Sequence, residues 1–383
     1  MGDGRKLDTQ LIHAGEPSPR PMGAVTMPVF QSATYEYGGE GEYDALRYLR
    51  LNNTPNHAAL HTKLAALENA EAALVTSSGM SAITTALLAT LSPGDHLLAQ
   101  RTLYGGTHDF VTQTLARLGI DCTFVDGNDP ASWADAVTET TRVFYLEAMT
   151  NPLLEVADLR AAAQFARARG LVSMIDATFA TPVVFRPIDV GFDLVLHSAT
   201  KYLNGHSDIC AGVVAGSAER VTEARRLLNH LGGTLDPHAC FLLQRGLKTL
   251  GVRVRQQCAN ALLVASFLAE HPAVERVAYP GLATHPDHAR AKALFDGYGG
   301  MLSFEVRGGS DAAERVSHAT QLFVNAPSLG GAESLITLPA KTSHVGLDAD
   351  LRRELGIADG LLRLSVGLEH ADDLIADLRA ALG

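Results

Sequence analysis

The residue with the clearest chemical setting is Lys201, within Asp193-Leu-Val-Leu-His-Ser-Ala-Thr-Lys-Tyr-Leu-Asn-Gly-His-Ser207. An apolar run, Leu194 to Leu196, delivers the chain to two hydroxyls, Ser198 and Thr200, then the amine, then a turn at Asn204-Gly205. That is how an amine is set beside a phosphate-bearing ring. A second feature suited to an anion is Ser77-Ser-Gly-Met-Ser81, between the strand-like Ala72-Ala-Leu-Val-Thr76 and a helical face of Met80, Ile83, Leu87 and Leu91. Ser78, Gly79 and Met80 then open a helix, where free N–H groups and the positive end of the dipole favour a phosphate. Small residues also begin many helices that bind nothing. Arg50 offers a planar, permanently charged fork for the same dianion. Asp176 ends the apolar Met174-Ile-Asp, where ligand sites of open parallel sheets lie. Buried alone, a carboxylate there is costly. Pairing with a protonated ring nitrogen would compensate it; capping a following helix is the other use of an Asp at such a place.

These groups need a scaffold, and the hydrophobic pattern supplies one. Strand-like segments at 72–76, 96–100, 122–125, 143–147, 171–175, 193–197 and 211–215 alternate with helical stretches such as Leu159-Arg-Ala-Ala-Ala-Gln-Phe-Ala-Arg-Ala-Arg169. Alternation of this kind predicts an α/β architecture, a mostly parallel sheet covered by helices. After Lys201 it stops. Residues 218–270 read as a long helical region, and strands at 301–306 and 361–366, a helical 319–323 and a final helix suggest a smaller α+β unit. Residues 1–57 are rich in Gly, Pro and Tyr with weak periodicity, and read as an arm lying on another surface. The expected division is therefore an arm at 1–57, a large domain at 58–245 and a small C-terminal domain at 246–383.

Bulk properties narrow the function. A chain of 383 residues exceeds one ordinary core, and 46 % hydrophobic with 19 % charged residues is an enzyme-like composition. The net charge of -11 comes from scattered carboxylates, and no Lys/Arg run offers a footprint for nucleic acid or an anionic membrane. With no apolar stretch long enough to span a bilayer and no N-terminal signal region, a cytoplasmic soluble protein is expected. Cys122, Cys210, Cys240 and Cys258 lack paired spacing and read as reduced, partly buried thiols. His57, His61, His197, His206 and His344 lack the spacing of metal ligands, so they read as structural or solvent-facing, with no metal expected.

Taken with Tyr104-Gly-Gly-Thr107, Tyr48-Leu-Arg50, Asn151-Pro152, Ser328-Leu-Gly-Gly-Ala-Glu-Ser334 and Arg363-Leu-Ser-Val-Gly367, these motifs resemble the pyridoxal-phosphate enzymes of cysteine and methionine metabolism, the cystathionine and methionine lyases and synthases. The resemblance runs from Tyr48 onward. It implies the aspartate-aminotransferase-like fold (fold type I) and pyridoxal 5'-phosphate as cofactor. Lys201 would be the Schiff-base lysine and proton carrier. Tyr104 would stack on the cofactor ring and serve as acid for the leaving group. Asn151 would meet the ring hydroxyl, Asp176 the ring nitrogen and Thr178 the back of the ring, while Ser78, Gly79, Met80, Ser198 and Thr200 cradle the phosphate. Tyr48 and Arg50 would reach the phosphate of a neighbouring subunit, with Tyr48 also facing substrate. Ser328 and Arg363 would engage the amino acid carboxylate. A homotetramer, a dimer of dimers with shared sites, is implied as well.

Departures from the family pattern bear on the substrate. Pro327 precedes the Ser-Leu-Gly-Gly motif where cystathionine-handling relatives typically carry an acidic residue. Gly106 stands where methionine γ-lyases commonly have cysteine, and Asp109 where cystathionine γ-lyases often have arginine. The expectation is α,γ-elimination of L-methionine to methanethiol, ammonia and 2-oxobutanoate. Cystathionine γ-lyase or cystathionine γ-synthase is the alternative.

Overall fold

The computed structural model describes residues 4–39, 46–346 and 348–383. The part of the expected arm at 40–45 lies outside the described residues. Seven strands form the larger sheet: β1 (Ala72–Thr76), β2 (His96–Gln100), β3 (Asp121–Val125), β4 (Thr141–Glu147), β5 (Val172–Asp176), β6 (Leu194–Ser198) and β7 (Gly212–Gly216). Their order is β1-β7-β6-β5-β4-β2-β3, and only β7 runs against its neighbours. Strands buried on both faces need no polar side, so they read as continuous apolar runs. Phe144, Leu146, Ile175 and Val195 accordingly enter one core, and Val143, Tyr145, Met174 and Leu196 the other.

A second sheet holds β8 (Val274–Ala278), β9 (Met301–Val306), β10 (Val324–Asn325), β11 (Leu335–Thr337) and β12 (Leu361–Ser365), in the order β10-β11-β12-β9-β8. It is antiparallel except for the β10–β11 pair. The helix Leu250–Glu270 connects the two bodies. Its first turns contribute Leu250 and Val254 to a core of the large sheet, and its later turns put Ala261, Val264 and Leu268 under the second sheet. Among the described residues no helix is long and apolar enough to cross a membrane.

One local expectation, the helix at 319–323, is corrected, and two others gain detail. The region 218–270 is three helices, Ala218–Leu231, Pro237–Leu247 and Leu250–Glu270. Gly232 closes the first in the left-handed conformation, and Asp236-Pro237 opens the second, the aspartate accepting from the His238 N–H. Residues 320–323 are not helical. The helix Gly309–Ala319 ends because the Asp377 carboxylate captures the N–H groups of Gln321, Leu322 and Phe323 at 2.7, 2.9 and 3.2 Å. Within the expected arm, Leu7–His13 is a helix whose Leu11 is buried in the core, and buried Lys63 ties it down by donating to the Leu11 carbonyl at 2.9 Å.

Candidate active site

Three parallel strands end in polar residues at one place: β4 in Glu147, β5 in Asp176 and β6 in Ser198. Strand periodicity puts all three on the same face of the sheet as Tyr145, Met174 and Leu196. There Glu147, Asp176 and Ser198 line a cavity of about 230 Å³ together with Ser78, Gly79, Met80, Thr200 and Lys201. Tyr104, Asn151 and Thr178 also line it. Ten of the expected site residues thus line one cavity, and Ser328 and Arg363 join it through Lys201 and Asn151.

The glycine-containing turn is fixed by close approach. A Cβ on Gly79 would lie 2.6 Å from the Ser198 Cβ and 2.9 Å from its Cα, so only glycine lets the helix Gly79–Thr90 start against the end of β6. Ser78 caps that helix by accepting from the Ser81 N–H at 3.0 Å. The amides of Gly79 and Met80 precede any intrahelical acceptor and line the cavity, which is the cradle a phosphate needs. Thr178 locks the neighbouring segment: its hydroxyl accepts from the Ser198 N–H at 2.8 Å. The Thr200 hydroxyl pairs with both the N–H and the carbonyl of Ala211.

Asp176 does not cap a helix. Its Oδ1 accepts from the Thr178 N–H at 2.8 Å, and the helix Thr181–Val184 has no side-chain cap. Burial raises its pKa, opposed by the hydrogen bonds from Thr178 and by His197. A cationic partner in the cavity would offset that cost.

Lys201 is positioned by backbone on both sides, its N–H donating to Ser198 O at 3.1 Å and its carbonyl accepting from Gly205 at 2.7 Å. Its amine donates to the Ser328 hydroxyl at 2.7 Å. Burial, reinforced by the positive charge of Arg363, lowers its pKa to about 8. Ser328 holds φ at +94°, rare outside glycine, and its carbonyl accepts from Arg363 Nη2 at 3.1 Å. Arg363 Nη1 donates to Asn151 Oδ1 at 3.0 Å, leaving Nε buried without a partner. An arginine so held, with one donor unmet, is suited to a carboxylate.

Lys63 shows that a weakened proton affinity alone does not mark a site. Burial also lowers its pKa to about 8, yet the carbonyls of Leu11 and Ile12 accept from its amine.

The sequence profile of the Cys/Met metabolism PLP-dependent enzymes matches residues 8–383. The chain belongs to that family. It is a lyase dependent on pyridoxal phosphate, and the cradle at Gly79, the carboxylate of Asp176 and the amine of Lys201 fit that cofactor. Among its relatives is a cystathionine gamma-lyase of Bacillus subtilis, 42 % identical, covering 98 % of this chain and 99 % of that one. An L-methionine gamma-lyase of Pseudomonas putida is 43 % identical, covering 98 % and 96 %. The crystal structure of a cystathionine gamma-lyase from Lactobacillus plantarum complexed with L-serine superposes with a TM-score of 0.94 at 39 % identity, covering 98 % of each chain. The fold type I architecture follows from this match and from the two sheets.

Not every expected residue reaches the cavity of its own chain. Tyr48 and Arg50 do not line it; Tyr48 is exposed, and Arg50 Nη1 donates to the Asn229 carbonyl at 3.0 Å. Asp109 does not line it either, and lies beside Gly346. Cys210 corrects the picture of partly buried thiols, because it is exposed and lines the cavity. Glu147, Met149 and Phe179 also line it and were not singled out. Glu147 carried a usable signal, a carboxylate ending an apolar strand just as Asp176 does. Among the described residues no group of three His, Cys, Asp or Glu side chains is placed to hold a metal.

Proposed function

We propose that this enzyme eliminates the γ-substituent of a sulfur amino acid, with L-methionine as its principal substrate and methanethiol, ammonia and 2-oxobutanoate as products. The observation that carries the reading is the chain Lys201–Ser328–Arg363, which puts a weakly basic amine next to a carboxylate-binding arginine. An amino acid held by Arg363 brings its α-carbon toward that amine.

When bound, the cofactor supplies an electron sink for charge left at the α-carbon. Asp176 supplies the counter-charge for its ring nitrogen. Lys201 takes the α-proton, releases it, and once more a free amine takes a β-proton, acting as general base in both steps. Tyr104 gives its phenolic proton to the departing sulfur. Ser328 holds the lysine's direction until substrate arrives.

Preference for methionine is supported by the apolar wall of Met80, Ile83, Met149 and Phe179, which suits a thioether methyl. Pro327 adds no charge before Ser328, and among the described residues no arginine lines the cavity to receive a distal carboxylate. Gly106, as opposed to cysteine, favours cystathionine as the second reading. Assay of 2-oxobutanoate from L-methionine and from L,L-cystathionine separates them; faster turnover of cystathionine would overturn the first.

The position of Tyr48 and Arg50 away from the cavity of their own chain, with Tyr48 exposed, supports an assembly in which they complete the phosphate site of a neighbouring subunit, in a dimer of dimers. Activity and cofactor retention should then fall together on dilution, and a fully active monomer would refute the shared site.

A further inference from the structure

Glu147 and Asp176 are directly opposite in the register of the parallel pair β4–β5, and both line the cavity. Neighbouring strands are about 4.8 Å apart, so two carboxylates so placed repel strongly if both are ionised. The surroundings treat them differently. Asp176 accepts from the Thr178 N–H and feels the imidazole of His197. Glu147 has Asp176 on the adjacent strand and the phenol of Tyr145 on its own, and its Oε1 accepts from the Tyr104 N–H at 2.6 Å. Lys201, in the same cavity, is drawn to Ser328. Burial and repulsion from Asp176 favour the protonated form of Glu147 and outweigh the hydrogen bonds from the Tyr104 and Asn151 backbone, which favour the charged one.

From this geometry we infer that Glu147 is a positioning residue: it stays uncharged beside Asp176 and fixes Tyr104 at the mouth of the cavity through the Tyr104 N–H. Tyr104 needs such a tether because its ring is partly exposed and its own backbone starts the short helix Gly105–Asp109 without a side-chain cap. By remaining neutral, Glu147 leaves Asp176 as the single negative charge on that wall. The inference rests on the lyase reading for the role of Tyr104, but not on which sulfur amino acid is used.

The test uses holoenzyme carrying Glu147→Gln or Glu147→Met, each with Tyr104 intact and with Tyr104→Phe. Glutamine keeps the acceptor and mimics the neutral acid; methionine keeps the length and removes the acceptor. Expected for E147Q are cofactor affinity, measured by titrating apoprotein with pyridoxal phosphate, and a kcat pH profile within about threefold of wild type. E147M should lose about tenfold or more in kcat when Tyr104 is present, and much less when it is phenylalanine, because both changes act on one group. An E147Q that binds cofactor tenfold more weakly or shifts the pH profile overturns the neutral assignment. An equal penalty for E147M in both backgrounds overturns the tether. If E147M does not fold, wild-type-like E147Q supports the proposal and an impaired one refutes it. Cofactor titration needs no substrate, and the kcat ratios can be taken with whichever sulfur amino acid wild type turns over, so a wrong methionine assignment is told apart from a wrong role for Glu147.

Discussion

The Lys201 amine lies 2.7 Å from the Ser328 hydroxyl, a contact between residues 127 positions apart. Lys201 follows β6 of the large sheet, whereas Ser328 lies between β10 and β11 of the small one, and its carbonyl is held by Arg363 on β12. The amine and the arginine of the proposed reaction are therefore supplied by different sheets, and their packing sets the distance between them.

With the amine's pKa lowered to about 8 by burial and Arg363, the free base falls about tenfold for each pH unit below that value. Uptake of pyridoxal phosphate by apoprotein should accelerate as pH rises toward 8 and level off above it. Stopped-flow absorbance measures this directly. In the unfolded chain the amine titrates near 10.5, so between about 8 and 10.5 the unfolded state binds more protons. Apoprotein stability from this group rises with pH through that window.

Tyr104→Phe removes the phenolic proton but keeps the N–H that Glu147 accepts. Loss of a general acid should lower kcat by about 10²–10⁴. The visible cofactor band should persist, since Asp176 and Lys201 are untouched. A variant that turns over at the wild-type rate would remove Tyr104 from the mechanism.

Gly79→Ala drives a methyl group into Ser198, whose backbone Cα lies 2.9 Å from it. Overpacking of this kind costs about 1–3 kcal/mol, and here it also displaces a wall of the phosphate cradle. Dialysis should strip cofactor from the variant faster than from wild type, and calorimetry of the apoproteins should show a lower Tm.

Much of the site was legible because its residues are chemically out of place: an aspartate and a lysine where buried strands run out. The sheet was legible because two buried faces leave each strand almost wholly apolar. What escaped depends on distant partners. Glu147 gained meaning only when register placed it beside Asp176, and residues 320–323 lost their helix to a carboxylate that arrives from Asp377. The helix Leu7–His13 is too short for its periodicity to stand out, and packing of Leu11 secures it. By contrast, Gly232-Gly233 and Asp236-Pro237 were visible breaks in the region 218–270, outweighed there by its long apolar spacing.

Arg363→Lys exchanges a planar fork for a point charge. Contacts with Asn151 and the Ser328 carbonyl cannot both be kept, and the buried Nε donor is lost. KM should rise about tenfold or more, with a smaller change in kcat. An unchanged KM would place the substrate carboxylate elsewhere.

Borohydride reduction of the holoenzyme, followed by peptide mass mapping, tests the central claim most directly. The account predicts one reduced pyridoxyl-phosphate adduct per chain, on the peptide that contains Lys201, and none in Lys201→Ala. An adduct on Lys63, a buried lysine whose proton affinity is also lowered, or an unlabelled Lys201 peptide would contradict it.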